Sequence, residues 1–228
     1  MFAVDFKKEE EVKEYIQNLG TEYSYQCYKE KTGEGCYRLG DFFAAMKADF
    51  KQAAEAYRKS CDDHDYGKGC QKIGALHMYG KGVEKDQEKA LNYFTKGCDG
   101  DAAESCLGAA VIHQQGVGPD KIKSIPKAAS FLEKGCTRDN ANCCFRLSTL
   151  YLQGTKGIPK DLSKAGKLSV KSCELGNMYG CFNASRMYKL GDGVEKSEET
   201  AKKYEKMGRA IHDAHTAETQ TVKFGAKS

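Results

Sequence analysis

Ten cysteines fall into five pairs along this chain: Cys27 and Cys36, Cys61 and Cys70, Cys98 and Cys106, Cys136 and Cys144, Cys173 and Cys181. Seven or eight residues lie between the members of a pair. The first members recur at intervals of 34, 37, 38 and 37, the second at 34, 36, 38 and 37. A fixed period in the thirties marks stacked two-helix units, each too thin to bury its apolar face alone. In such an array the first cysteine of a pair ends one helix and the second begins the next, antiparallel one. So short a connection brings the two within disulfide reach. Each closure is worth about 2.5 kcal/mol of chain entropy, and five sum to about 12 kcal/mol, the stability of a whole domain. Metal binding is the rival use of these thiols, but zinc sites commonly space cysteines two to four apart. No Cys-x-x-Cys occurs here, which also counts against a thioredoxin-like centre.

The same register governs the residues between the cysteines. Three after each second cysteine come Leu39, Ile73, Ala109, Leu147 and Ala184; one further on come the small residues Gly40, Gly74, Ala110, Ser148 and Ser185. Seven after it come Phe43, His77, His113, Tyr151 and Tyr188. Offsets of 0, 3, 4 and 7 share one helical face, and the small residue admits a neighbouring helix. Glycine-rich turns follow at Gly80-Lys-Gly82, Gly116-Val-Gly118, Gly154-Thr-Lys-Gly157 and Gly191-Asp-Gly193. The second helices carry Ala53, Ala90, Ala128, Ala165 and Ala201, eight residues before the next cysteine except in the last unit, where Arg209 stands. The pattern predicts an all-α fold, a right-handed α/α superhelix of helix hairpins spanning 1–215. Its repeats are expected at about 36–61, 70–98, 106–136, 144–173 and 181–212, behind a capping helix over 7–28 and ahead of a flexible tail over 216–228. The first unit is shorter and lacks the glycine turn.

Composition narrows the function. The chain has 36 basic and 32 acidic residues, interspersed, with a net charge of +4. That is no phosphate-binding stripe, so nucleic acid is not an expected partner. No 18-residue apolar run could span a membrane, and nothing suggests an oligomer; a monomer is expected. The opening residues have neither the apolar core of a secretory signal nor the arginines of a matrix transit peptide. Cysteine density implies an oxidising compartment, and the mitochondrial intermembrane space is one that oxidises proteins lacking a cleaved presequence.

The repeating Leu-Gly-x-x-Tyr, Gly-x-Gly-Val and Lys-Ala pattern resembles the Sel1-like repeat, a relative of the tetratricopeptide repeat, over about 180 of the 228 residues. With Asn183–Val194, the opening Val4-Asp-Phe6, Cys27-Tyr-x-Glu30 and Cys36-Tyr-Arg-Leu39, the chain is similar to the cysteine-rich Sel1-repeat factors of the intermembrane space. The resemblance implies import coupled to disulfide formation, with the oxidative import machinery as one partner. Proteins of respiratory complex IV (cytochrome c oxidase) assembly are the others. It also implies a link to haem and to thiol–disulfide reduction, an alternative activity that would act on copper-delivery factors.

Candidate chemistry is sparse. The eleventh cysteine, Cys143, is either a buried small residue or a thiol that exchanges with partner disulfides. No Cys-x-x-Cys-His occurs, so haem would need side-chain ligands, and His212 with Met187 in the last unit are the pair to test. His77 and His113 occupy a core register, and His64, in a connecting loop, is expected to be solvated. Binding is the better-supported class, because the first helices of such repeats line a concave face. Offsets one, five, eight and nine from the second cysteine select Tyr37, Gln71, Met78, Tyr79, Gln114, Gln115, Phe145, Gln153, Phe182, Arg186 and Lys189. Their mixed aromatic and polar character suits a protein-binding groove, and equally an ordinary solvated face.

Overall fold

Side chains that cap helices punctuate the chain. Asp49, Asp86, Asn140, Asp161 and Asn177 each accept a backbone N–H two or three residues on, at 2.9 to 3.1 Å. This satisfies donors that a helix start leaves open. The structure, a computed structural model, describes residues 5, 7–100, 102–118 and 120–225, with side chains to 217. The described residues form eleven helices: α1 (Glu9–Tyr28), α2 (Gly33–Met46), α3 (Phe50–Asp62), α4 (Gly67–Tyr79), α5 (Gln87–Asp99), α6 (Ala103–Gln115), α7 (Ile125–Thr137), α8 (Ala141–Gln153), α9 (Leu162–Glu174), α10 (Met178–Leu190) and α11 (Glu198–Gly225). No strand accompanies them; the two isolated bridges, Val117 with Ile122 and Thr155 with Ile158, lie in loops.

The chain divides into two compact units, Met1–Ile122 and Lys123–Ser228, where the repeat pattern predicts one array. In the first, each of α1 to α5 packs on its successor, and α2 with α4, α4 with α6 and α3 with α5 also touch. In the second, each of α7 to α10 does the same, with α8 on α10 and α9 on α11. Antiparallel neighbours plus contact between alternate helices are what a stack of hairpins requires. The backbone of α11 is helical to Gly225, past residue 216, where the tail is expected to begin. Residues 226–228 lie outside the described residues.

Five disulfides, Cys27–Cys36, Cys61–Cys70, Cys98–Cys106, Cys136–Cys144 and Cys173–Cys181, tie each second helix to the first helix of the next repeat, with Cα–Cα distances of 4.3 to 4.7 Å. Lys31, Asp65, Asp139 and Gly176 take a left-handed backbone in their turns, which reverses the chain between the two cysteines. The register residues Leu39, Ile73, Ala109, Leu147 and Ala184 are all buried. Gly40 lies against the Tyr57 ring, leaving no room for a β-carbon.

Glycine is needed most in the turns within repeats. Gly82 and Gly193 both have φ of +69°, and a β-carbon on either would strike the backbone at the start of an earlier second helix, at Phe50 or Leu162. Each turn therefore seats on the hairpin before it. The first repeat has no such turn: a three-residue link joins α2 to α3, and Ala48 takes the positive φ, +50°.

Beside three of the disulfides the helices meet through a small pair. Ser60 faces Gly69 and Ser172 faces Gly180; on the third joint the order inverts, Gly97 facing Ser105. Ser60 and Ser172 donate to the carbonyls of Gly33 and Ala141, 2.6 and 2.9 Å away. By the same register Cys143 stands where Ser105 does, with Gly135 at the register of Gly97.

Candidate partner-binding face

The first helix of each repeat presents the same row of positions, because offsets one, five, eight and nine fall on one side of the helix. None of the eleven predicted face residues is buried. Tyr79, Gln115, Gln153, Phe182, Arg186 and Lys189 are exposed, and Tyr37, Gln71, Met78, Gln114 and Phe145 are half-buried.

In the first unit Tyr37 is the centre of a cluster. Its ring lies 6.1 Å from Tyr57 and 5.7 Å from Tyr66, and Lys72 stands 5.7 Å above it. Lys72 pairs with Asp41 at 3.0 Å, and the Tyr57 hydroxyl donates to the same carboxylate at 2.6 Å. Burial, and then the neighbouring Asp41 carboxylate, push the Tyr37 phenol up to about 12 and Tyr57 higher still. In the second unit Phe145 of α8 packs on Tyr179 of α10, ring centres 5.6 Å apart, and Asn177 donates to Asn142 at 2.9 Å between the same two helices. Phe182, 38% exposed, lies one turn beyond Tyr179 and against Gly208 of α11.

Tyr179 was outside the predicted set. It lies at offset minus two, one turn before the offset-one position, so extending the same row toward the helix start finds it. Tyr66, the residue before α4, has no such signal; only packing places it on Tyr37.

The proposed haem pair does not fit a haem. Met187 is fully buried, its sulfur 3.9 Å from the Ser169 hydroxyl, whereas His212 is an exposed side chain 3.2 Å from Asp213. Axial ligands must both reach one iron, and a sealed core sulfur cannot do so beside a solvated imidazole. Cys143 is also fully buried, where a large partner cannot reach its sulfur. His77 stacks on Tyr93 with ring centres 5.7 Å apart, and its Nδ1 lies 3.1 Å from the Glu84 carbonyl. His113 is buried. His64 is half-buried rather than a fully solvated loop residue: its Nε2 is buried without a hydrogen-bond partner among the described residues, and Gly33 of the preceding hairpin lies against its β-carbon.

The Sel1 repeat family matches at residues 33–65, 67–101, 103–140, 141–177 and 179–204. The chain is 44% identical over 227 residues to cytochrome c oxidase assembly factor 7 of Xenopus tropicalis, covering 97% of this chain and 98% of that one. It is 36% identical over 257 residues to the Drosophila melanogaster homologue of that factor, covering 97% of each. Among solved structures, a Sel1 repeat protein from Oxalobacter formigenes superimposes with a TM-score of 0.75, over 88% of this chain and 83% of that one. At 15% identity that likeness establishes the fold alone.

Proposed function

From the premise that this chain belongs to the Sel1-repeat family of cytochrome c oxidase assembly factor 7, we propose that it serves the assembly of cytochrome c oxidase as a protein-binding scaffold, held rigid by disulfides in the mitochondrial intermembrane space. The observation that carries this reading is the accessible row on the first helices, ending in Phe145, Tyr179 and Phe182. Aromatic side chains with arginine close by are the usual anchors of protein interfaces, and Arg186 follows Phe182 by one turn. Five disulfides along the stack supply the rigidity that lowers the entropic cost of docking. They also require an oxidising compartment, and no described helix is long and apolar enough to cross a membrane.

Complementation tests this reading. In cells lacking the factor, the wild-type chain restores cytochrome c oxidase activity and a Phe145→Ala/Tyr179→Ala/Phe182→Ala variant, folded and oxidised, does not. Crosslinking from the same face recovers complex IV subunits or their maturation factors. Full rescue by the triple variant would overturn the face. Digestion of the chain by protease in intact mitochondria would overturn the compartment.

A further inference from the structure

Within each unit the second helices of successive repeats leave a slot between them, floored by the first helix that separates them. In the first unit the slot between α3 and α5 is crossed by Tyr93, which stacks on His77 and donates to Asp62 at 3.1 Å. Lys96 pairs with Asp62 at 2.9 Å. The cavity left there, about 250 Å³, is lined from α3, α4 and the Gly82–Val83 turn, with nothing from α5. The slot between α9 and α11 is crossed in the same way by Tyr204, stacked on Tyr188 at 5.7 Å.

The slot between α7 and α9 is different. Three residues after the register alanine, where α5 has Tyr93 and α11 has Tyr204, α9 has Leu168. Thr137 stands at the register of Asp62, and Lys167 at that of Asn92. With no ring across it, a groove of about 320 Å³ stays open over Leu147, Tyr151 and Leu168. Its rim carries Lys164, Lys167 and Lys171, a row about 10 Å long on one face of α9. One acid, Glu133, lines it with them. Lys171 pairs with Asp139 at 2.8 Å, and Lys164 sits 5.2 Å above the Tyr151 ring and 3.8 Å from Asp161. Lys167 makes no ion pair among the described residues.

The geometry points to this groove as a docking site for an acidic peptide segment, one apolar side chain resting on the Leu147–Leu168 floor and flanking carboxylates meeting the lysine row. Charge complementarity selects the occupant: of the three ammonium groups bordering the floor, Lys167 has no ion pair among the described residues, and Asp161 and Asp139 meet Lys164 and Lys171 only in exposed pairs, which are worth little; the spacing of the row matches acids about 10 Å apart. An apolar floor with few charged groups at its edge fixes both the anchor and its orientation. This surface shares no residue with the row on the first helices, so the two can bind at once.

The test uses the full oxidised chain and a fluorescein-labelled peptide, Gly-Asp-Glu-Leu-Phe-Glu-Asp-Gly, read by anisotropy. Saturable binding is expected, weakening as salt rises, and absent for the peptide with Asn and Gln in place of its acids. Lys167→Asn, which copies the first unit, weakens binding about two- to fivefold, the factor an exposed ion pair carries. Leu168→Tyr, which supplies the missing ring, weakens it at least about tenfold with the lysines intact. If Leu168→Tyr misfolds, amide shifts at Lys167 and Leu168 on titration of the wild-type chain decide instead. No saturable binding up to about 1 mM, equal binding of the uncharged peptide, or full affinity in the folded Leu168→Tyr variant would overturn the proposal. So would Lys167-dependent binding to phosphatidylglycerol vesicles without peptide binding, which would make the ligand a lipid surface.

Discussion

Gly180 lies so close to Ser172 that a β-carbon on the glycine would stand 2.5 Å from the serine Oγ. This contact flanks the Cys173–Cys181 disulfide and sets how closely α9 approaches α10. Gly180→Ala is expected to destabilise the chain by about 1–3 kcal/mol, an overpacking cost that outweighs alanine's better helix propensity. Adding Ser172→Gly relieves the clash but removes the Ser172–Ala141 hydrogen bond, so it should recover only part of the loss. Thermal unfolding of the two variants checks this; a double variant no more stable than Gly180→Ala would disprove the joint.

Cys143 should behave as a packing residue. The native chain is expected to resist maleimide and to gain one reactive thiol only on unfolding, because the sulfur is fully buried. Mass measured without reductant should lack ten hydrogens, two for each of five disulfides. Cys143→Ser, which restores the residue found at Ser105, should cost about 1–2 kcal/mol and leave complementation intact. Rapid native labelling would return the thiol to chemistry.

Ala48 pays for the missing glycine turn of the first repeat with a left-handed φ of +50°. Ala48→Gly should raise stability by about 1 kcal/mol, since that conformation costs an L-residue about this much and glycine nothing. A fall in denaturant midpoint would show that the strain is not there.

Tyr37 and Tyr57 both have folded pKa values above their unfolded value of 10. Between 10 and 12 the folded state holds protons that the unfolded state has lost. Stability is therefore complete below pH 10 and declines as pH rises through that window. Denaturation at pH 9 and pH 11, monitored with Tyr57→Phe as the control, should show a smaller decline in the variant. An equal decline would disprove the assignment.

His212→Ala is expected to leave any haem titration unchanged, because Met187, the other member of the expected pair, is sealed in the core. Loss of a Soret shift in that variant would reinstate the pair.

Five cysteine pairs were legible because the members of each are only eight or nine residues apart, and a single turn decides whether they meet. Ten of the eleven helices begin within a few residues of a register position or cap for the same reason. Helical periodicity places the predicted positions on one side of each first helix, where none is buried, and Tyr179 lies one turn before the first of them in α10. Met187 and His212 were misread together because proximity in sequence does not say which side of a helix faces the core. His64 meets Gly33, 31 positions away in the chain, a contact that local spacing does not reveal.

Local chemistry alone decided the repeat, its disulfides, its helix boundaries and its family, since each depends on spacings shorter than one hairpin. Which slots a side chain crosses and which it leaves uncrossed was decided only by tertiary packing. Tyr93 reaches Asp62 across 31 residues and Ser172 reaches Ala141 across the same separation; such contacts exist only once the hairpins have stacked. A tyrosine and a leucine at one register are equally good helix residues, and they become a lid and an opening only when another helix lies beneath them.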